Sequence, residues 1–132
     1  MHSPVVAVAP GDPLRKALRL MNEHHIRQLP VVAYGHLAGI LTDRDIRLHV
    51  IHLEDRYENG GSFNDALEAP VEGVMTRDVK VLRPGQTLLD ALNLFILEKF
   101  GGAPVVEAGD RVIGILTYLD LLVELRNTVE RE

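Results

Sequence analysis

A seven-residue stretch of this chain occurs twice, and the repetition governs what the chain can fold into. Gly39-Ile40-Leu41-Thr42-Asp43-Arg44-Asp45 returns as Gly114-Ile115-Leu116-Thr117-Tyr118-Leu119-Asp120. In each copy an apolar run breaks at a threonine, and an aspartate follows three residues later. Ile46-Arg47-Leu48 and Leu121-Leu122-Val123 read as helix, so each stretch is a strand feeding directly into a helix N-terminus. The register extends well beyond it. At an offset of 74, Val5 meets Val79 and Pro10-Gly11 meets Pro84-Gly85. Leu14, Ala17, Leu18 and Leu20 meet Leu88, Ala91, Leu92 and Leu94, and Pro30-Val31-Val32 meets Pro104-Val105-Val106. Past the hairpin the offset becomes 75, which predicts one extra residue in the second turn, near Gly109. The chain is an internal duplication.

Each half reads the same way. Val5 to Val8 is a short β-branched run closed by the turn cluster Pro10-Gly11-Asp12-Pro13. Asp12 is placed to cap a helix that has Pro13 at its first position. Leu14, Ala17, Leu18 and Met21 then recur at helical spacing. Pro30 cannot continue a helix, Val31-Val32-Ala33 reads as a strand, and Gly35 turns the chain into a second strand, Leu37 to Leu41. The expectation is an α/β (α+β) fold of two β-α-β-β-α repeats, packed with pseudo-twofold symmetry so that each covers the other's bare sheet face. Two symmetry-related clefts then lie at the junction. Residues 1–53 form the first repeat and 74–132 the second. Residues 54–73, acidic and carrying Asn59-Gly60-Gly61, are expected as a surface linker. The apolar helix faces Leu14/Ala17/Leu18 and Leu88/Leu92/Phe95 predict self-association.

Composition narrows the function. A net charge of −5 with no basic stripe argues against a nucleic-acid partner. With no cysteine there is neither a disulfide framework nor a thiolate metal site. No apolar run approaches the roughly twenty residues of a membrane span, and nothing at the start resembles a signal peptide. A soluble, cytoplasmic protein is expected. His24, His25, His49 and His52 offer no third ligand at a fixed spacing, so no metal site is predicted. No acid, base or nucleophile constellation is evident, so the chain is not expected to be an enzyme.

The repeated Thr-x-x-Asp has two readings. A helix N-terminus presents unpaired N–H groups and the positive end of the helix dipole, a seat for phosphate, and a carboxylate one turn in can accept bonds from ribose hydroxyls. The same spacing is also close to a capping box, the hydroxyl at the N-cap and the acid at the third helical position. The residues alone leave both open.

The order of motifs resembles the tandem CBS domain, named for cystathionine β-synthase. The marks are Val74-Met75-Thr76-Arg77-Asp78-Val79, Pro84-Gly85-Gln86-Thr87-Leu88, the two Pro-Val-Val strands and both Gly-Ile-Leu-Thr-x-x-Asp stretches. The resemblance implies a regulatory, non-catalytic module, often dimeric, that binds AMP, ADP, ATP, S-adenosylmethionine or a related adenosyl ligand in the clefts between repeats. It assigns ribose to Asp45 and Asp120 and phosphate to Thr42 and Thr117. For the Asp45 cleft it supplies a base wall from Thr76, Asp78, Lys80, Phe100 and Gly101. For the Asp120 cleft the wall is His2, Pro4, Val6, Ile26 and Arg27. Only the first cleft has Arg44 to fork hydrogen bonds to phosphate, its counterpart being Leu119. The first repeat also shows no counterpart of the lead-in Pro70 to Val74, so the Asp120 cleft is expected to be weaker. The alternative is a structural dimerisation module with degenerate, non-binding clefts.

Overall fold

A computed structural model describes residues 5–56, 63–98 and 102–131. The chain divides into two compact units, one of Val6–Val79 and the other of Val5 with the residues from Lys80 onward. In the first unit, α1 (Leu14–His24) is followed by β1 (Gln28–Ala33), β2 (His36–Thr42) and α2 (Asp43–Arg56), then by a short turn of helix α3 (Phe63–Ala66). The second unit repeats the order with α4 (Leu88–Glu98), β3 (Gly102–Glu107), β4 (Arg111–Thr117) and α5 (Tyr118–Glu130). The fold is α+β.

Each unit is built on an antiparallel hairpin, β1 with β2 and β3 with β4. Both carry an irregularity at the same place, after Val31 and after Val105. The first turn is the two-residue Tyr34-Gly35, both at positive φ, the geometry that matches the natural twist of a hairpin. The second is Ala108-Gly109-Asp110, one residue longer, as the change of offset predicts.

The first strand of each repeat is shorter than its sequence implies. Val8 forms a single parallel bridge to Val31, and Leu82 one to Val105. Val8 N–H donates to the Pro30 carbonyl at 3.1 Å and Val32 N–H to the Val8 carbonyl at 2.8 Å, and Leu82 repeats the pattern with Pro104 and Val106. Pro10 and Pro84, two residues further on, cannot donate to a ladder, so pairing stops there.

Two cores result. In the first unit Leu14, Ala17, Met21, Leu29, Val31, Leu41 and Ile46 close on one another. In the second, Leu82, Ala91, Phe95, Ala103, Val105 and Leu121 do so. Leu14, Ala17 and Phe95 are thus spent on internal packing, and the apolar helix faces named above are mostly core rather than free surface. The linker also departs from expectation. Leu67 and Val71 are 3% and 0% exposed and belong to the first core together with Met75. They are among the few apolar side chains in an acidic stretch, and each fully buried one contributes roughly 1.5–3 kcal/mol, which outweighs the polarity of its neighbours. Residues 57–62, including Asn59-Gly60-Gly61, lie outside the described residues.

Candidate functional site

The loop between β2 and α2 is a reciprocal pair of hydrogen bonds. Thr42 N–H donates to Asp45 Oδ2 at 3.0 Å, and Asp45 N–H donates to Thr42 Oγ1 at 3.1 Å. This is a capping box, made possible because threonine ends the strand in extended backbone while its hydroxyl faces the first turn of the helix. The second repeat builds the same box. Thr117 N–H meets Asp120 Oδ2 at 2.8 Å, Asp120 N–H meets Thr117 Oγ1 at 3.2 Å, and the Thr117 hydroxyl also donates to Oδ2 at 2.9 Å. Burial raises the Asp120 pKa, but the hydrogen bonds it receives, those from the Thr117 N–H and hydroxyl among them, outweigh burial and leave it below the usual carboxylate range.

Capping does not exhaust Asp45. Its second oxygen, Oδ1, takes no hydrogen bond among the described residues. Arg44 is exposed on the first turn of α2 and has no ion-pair partner among them. Arg47 sits 3.9 Å from Asp43, both at the surface. Among the described residues, a carboxylate oxygen and a guanidinium thus stand unengaged at one helix N-terminus.

A further strand comes to this turn. Ile40 and Thr76 exchange both backbone hydrogen bonds at 2.9 Å, which sets Thr76 against β2 two residues before Thr42. Gly39 permits the approach. A Cβ there would lie 2.7 Å from the Thr76 carbonyl oxygen and 2.8 Å from Met75 Sδ, so only glycine leaves room. Thr76 and Asp78 are exposed within the same unit as Asp45, while Lys80, also exposed, begins the second unit. Ile26 packs against the first core. The Arg27 carbonyl accepts from Asp43 N–H at 2.9 Å, so Ile26 and Arg27 sit beside the Thr42 turn of their own repeat. Val6 is half-buried against the same core. His2, Pro4, Phe100 and Gly101 lie outside the described residues.

Sequence reasoning missed a third Thr-x-x-Asp. Thr87 and Asp90 form the same reciprocal box at the start of α4, at 2.9 and 3.1 Å. The spacing was legible in Thr87-Leu88-Leu89-Asp90, but no strand precedes it and no copy stands at Pro13 to Lys16. Among the described residues no group of three or more His, Asp or Glu side chains could hold a metal ion. Nor is any described helix long and apolar enough to cross a membrane.

The sequence profile of the CBS domain matches residues 1–52 and 71–127, and the chain belongs to that family. It is 30% identical over 136 residues to the uncharacterized protein MJ1225 of Methanocaldococcus jannaschii, covering 96% of this chain and 47% of that one. The chain therefore spans about half the length of that relative. It is 31% identical to the CBS domain-containing protein YhcV of Bacillus subtilis, covering 93% of this chain and 80% of YhcV. Among solved structures, MJ1225 superposes with a TM-score of 0.84 over 92% of this chain and 44% of its own. CBSX2, solved in complex with AMP, superposes with a TM-score of 0.78 at 27% identity, over 96% of this chain and 91% of its own.

Proposed function

We propose that this chain is a regulatory module that senses an adenosine nucleotide or a related adenosyl ligand such as AMP, ADP, ATP or S-adenosylmethionine. The principal seat is the Thr42–Asp45 turn. The observation that carries this reading is that the turn holds more polar chemistry than a cap requires. Asp45 Oδ1 and Arg44 are unengaged there among the described residues, and Thr76 is drawn alongside by a glycine that admits nothing larger. In this reading Asp45 accepts the ribose hydroxyls, the N-terminal N–H groups and Thr42 hold phosphate, and Arg44 forks onto its oxygens. Thr76, Asp78, Lys80, Phe100 and Gly101 supply the base wall. Thr117 and Asp120 form a second, weaker seat with Pro4, Val6, Ile26 and Arg27, because Leu119 replaces the arginine. The similarity to CBSX2, whose structure was solved with AMP, supports the ligand class. The module works as a homodimer in the cytoplasm and carries out no catalysis of its own.

Calorimetric titration of AMP, ADP, ATP and S-adenosylmethionine tests the reading. At least one should bind, and Arg44→Leu should weaken a phosphorylated ligand at least tenfold, since a charge-assisted contact contributes roughly 1.5–3 kcal/mol. A panel on which none of the four binds would favour the second reading, a structural dimerisation module with empty clefts. That reading has its own support in the Thr87–Asp90 box, which shows that this chain also uses Thr-x-x-Asp for capping where a helix follows no strand.

A further inference from the structure

Residues 66–76 reach the Thr42–Asp45 turn from a distant part of the sequence, and two separate places hold them to the first unit. One end lies across the start of α1. Leu14 and Arg15 N–H donate to the Ala69 and Leu67 carbonyls at 3.0 and 2.9 Å, while Val71 and Glu72 N–H donate to the Asp12 and Pro10 carbonyls at 2.8 and 2.9 Å. Leu67 and Val71 are buried in the core beneath, and Arg15 meets Glu68 at the surface, 2.9 Å away. The other end lies beside the candidate seat. Met75 is buried next to Gly39, and Thr76 exchanges both backbone bonds with Ile40. The helical turn Val71–Gly73 joins the two ends. The Val71 carbonyl accepts from Val74 and Met75 N–H at 3.0 and 2.9 Å, and Arg77 Nη2 donates to the Glu72 carbonyl at 3.1 Å, so what moves one end moves the other.

We propose that residues 66–76 form a releasable strap whose docking on the start of α1 is coupled to ligand binding at the Thr42–Asp45 seat. The inference rests on the adenosyl-ligand reading above and adds how that seat is regulated. The strap belongs to neither strand of the β1–β2 hairpin. The buried side chains of Ala66, Leu67, Val71 and Met75 hold it, against the entropy of ordering a whole segment, and a piece held in this way opens more easily than the hairpin it rests on. A ligand that meets Thr42, Asp45 and Thr76 together meets Thr76 only while the strap is docked. Binding therefore stabilises the docked strap, and by linkage whatever frees the strap at α1 weakens the ligand by the same factor. Among the described residues α4 rests on no such segment, being closed by its own Thr87 and Asp90, so this control acts on the first seat.

Hydrogen exchange on the full chain tests the coupling away from the seat, without ligand and with whichever of AMP, ADP, ATP and S-adenosylmethionine binds most tightly by calorimetry. The amides of Leu14, Arg15, Val71 and Glu72 touch no ligand in this reading. Without ligand they should exchange faster than the β1–β2 hairpin amides, and saturation should slow them ~10-fold relative to the hairpin. Leu67→Ala removes an anchor remote from the seat and should weaken that ligand ~10-fold, as a docked fraction of about one-tenth does, while Leu67→Met restores the affinity. Met21→Ala, in the same core but outside the strap, should leave the affinity unchanged. A bound ligand with strap amides that exchange as slowly as the hairpin before it is added would overturn the strap and leave the seat standing. So would a loss of affinity in Met21→Ala equal to that in Leu67→Ala, because affinity would then follow the stability of the whole unit. If none of the four ligands binds, the seat itself falls and the coupling falls with it.

Discussion

The first helix of each repeat begins at the same point of the fold, and the two beginnings are satisfied in opposite ways. α1 has Pro13 at its N-cap with no side-chain hydrogen bond. Its first N–H groups, on Leu14 and Arg15, donate instead to the carbonyls of Ala69 and Leu67 at 3.0 and 2.9 Å. α4 is closed by its own Thr87 and Asp90. The same division runs through the cores. In the first unit the segment from Ala66 to Val71 lies on the Pro10–Leu14 turn, with Leu67 and Val71 buried. In the second unit the corresponding groove, between the Leu82–Leu88 turn and α5, is filled by no such segment among the described residues. A duplicated frame can thus be completed by a borrowed segment in one copy and by local side chains in the other. Among the described residues, α1 is closed by carbonyls distant in sequence and α4 by its neighbours.

The sharpest way to expose that difference is to remove the borrowed side chain. Leu67→Ala should cost the first unit about 2–5 kcal/mol, the range for emptying a buried leucine site. Leu89→Ala, on the exposed face of α4, should change monomer stability by less than about 0.5 kcal/mol. Denaturant unfolding followed by hydrogen exchange would assign each loss to its unit. Equal losses would mean that the linker is not part of the first core.

Local closure should be worth less. Thr87→Ala is expected to cost about 1 kcal/mol, the usual loss when a capping hydroxyl is removed, and α4 amides should exchange faster. The equivalent change in the first unit, Pro13→Ala, should leave the α1 amides protected, because backbone carbonyls hold that end.

Acid should erode both units through depressed carboxylates. Asp120 lies below the usual range despite its burial, through hydrogen bonds that include those from Thr117. Asp12 is lowered chiefly by the Ala9 N–H at 2.8 Å, with Lys16 assisting. For a carboxylate whose folded pKa is below its unfolded value, the stabilisation is fully present above about pH 4 and is lost as pH falls through the folded pKa. Asp120→Asn and Asp12→Asn should therefore each flatten the fall in melting temperature between about pH 5 and pH 2. The smallest effect belongs to the Arg15–Glu68 ion pair, 2.9 Å long but half or more exposed at both ends. Breaking it should cost under about 1 kcal/mol, and less in high salt.

Much of this was legible in the sequence. The duplication, the order of elements and the extra residue near Gly109 follow from register alone, because turns and apolar spacing are local properties. Burial of Leu67 and Val71 was not legible, since two apolar residues in an acidic stretch show no period and their partners on α1 are distant in sequence. The helix faces were misjudged by counting Leu14, Ala17 and Phe95 as free surface, when the hairpins beneath them claim those side chains. At the candidate site the sequence named Thr42, Asp45 and Thr76 as ligand-binding candidates, and the structure places Thr42 and Asp45 in one turn with Thr76 paired to β2 beside it. It offered the capping box as one of two readings, and the structure shows that the cap engages one oxygen of Asp45.

The central claim is that Asp45 does more than close a helix, and Asp90 provides the control. Asp45→Ala and Asp90→Ala each remove one capping box and should lose about 1 kcal/mol alike. Titrated with whichever adenosine nucleotide binds the wild type most tightly, Asp90→Ala should keep the wild-type affinity while Asp45→Ala loses the tighter binding event. If both variants bind as the wild type does, the Thr42–Asp45 turn is a cap alone and the seat lies elsewhere.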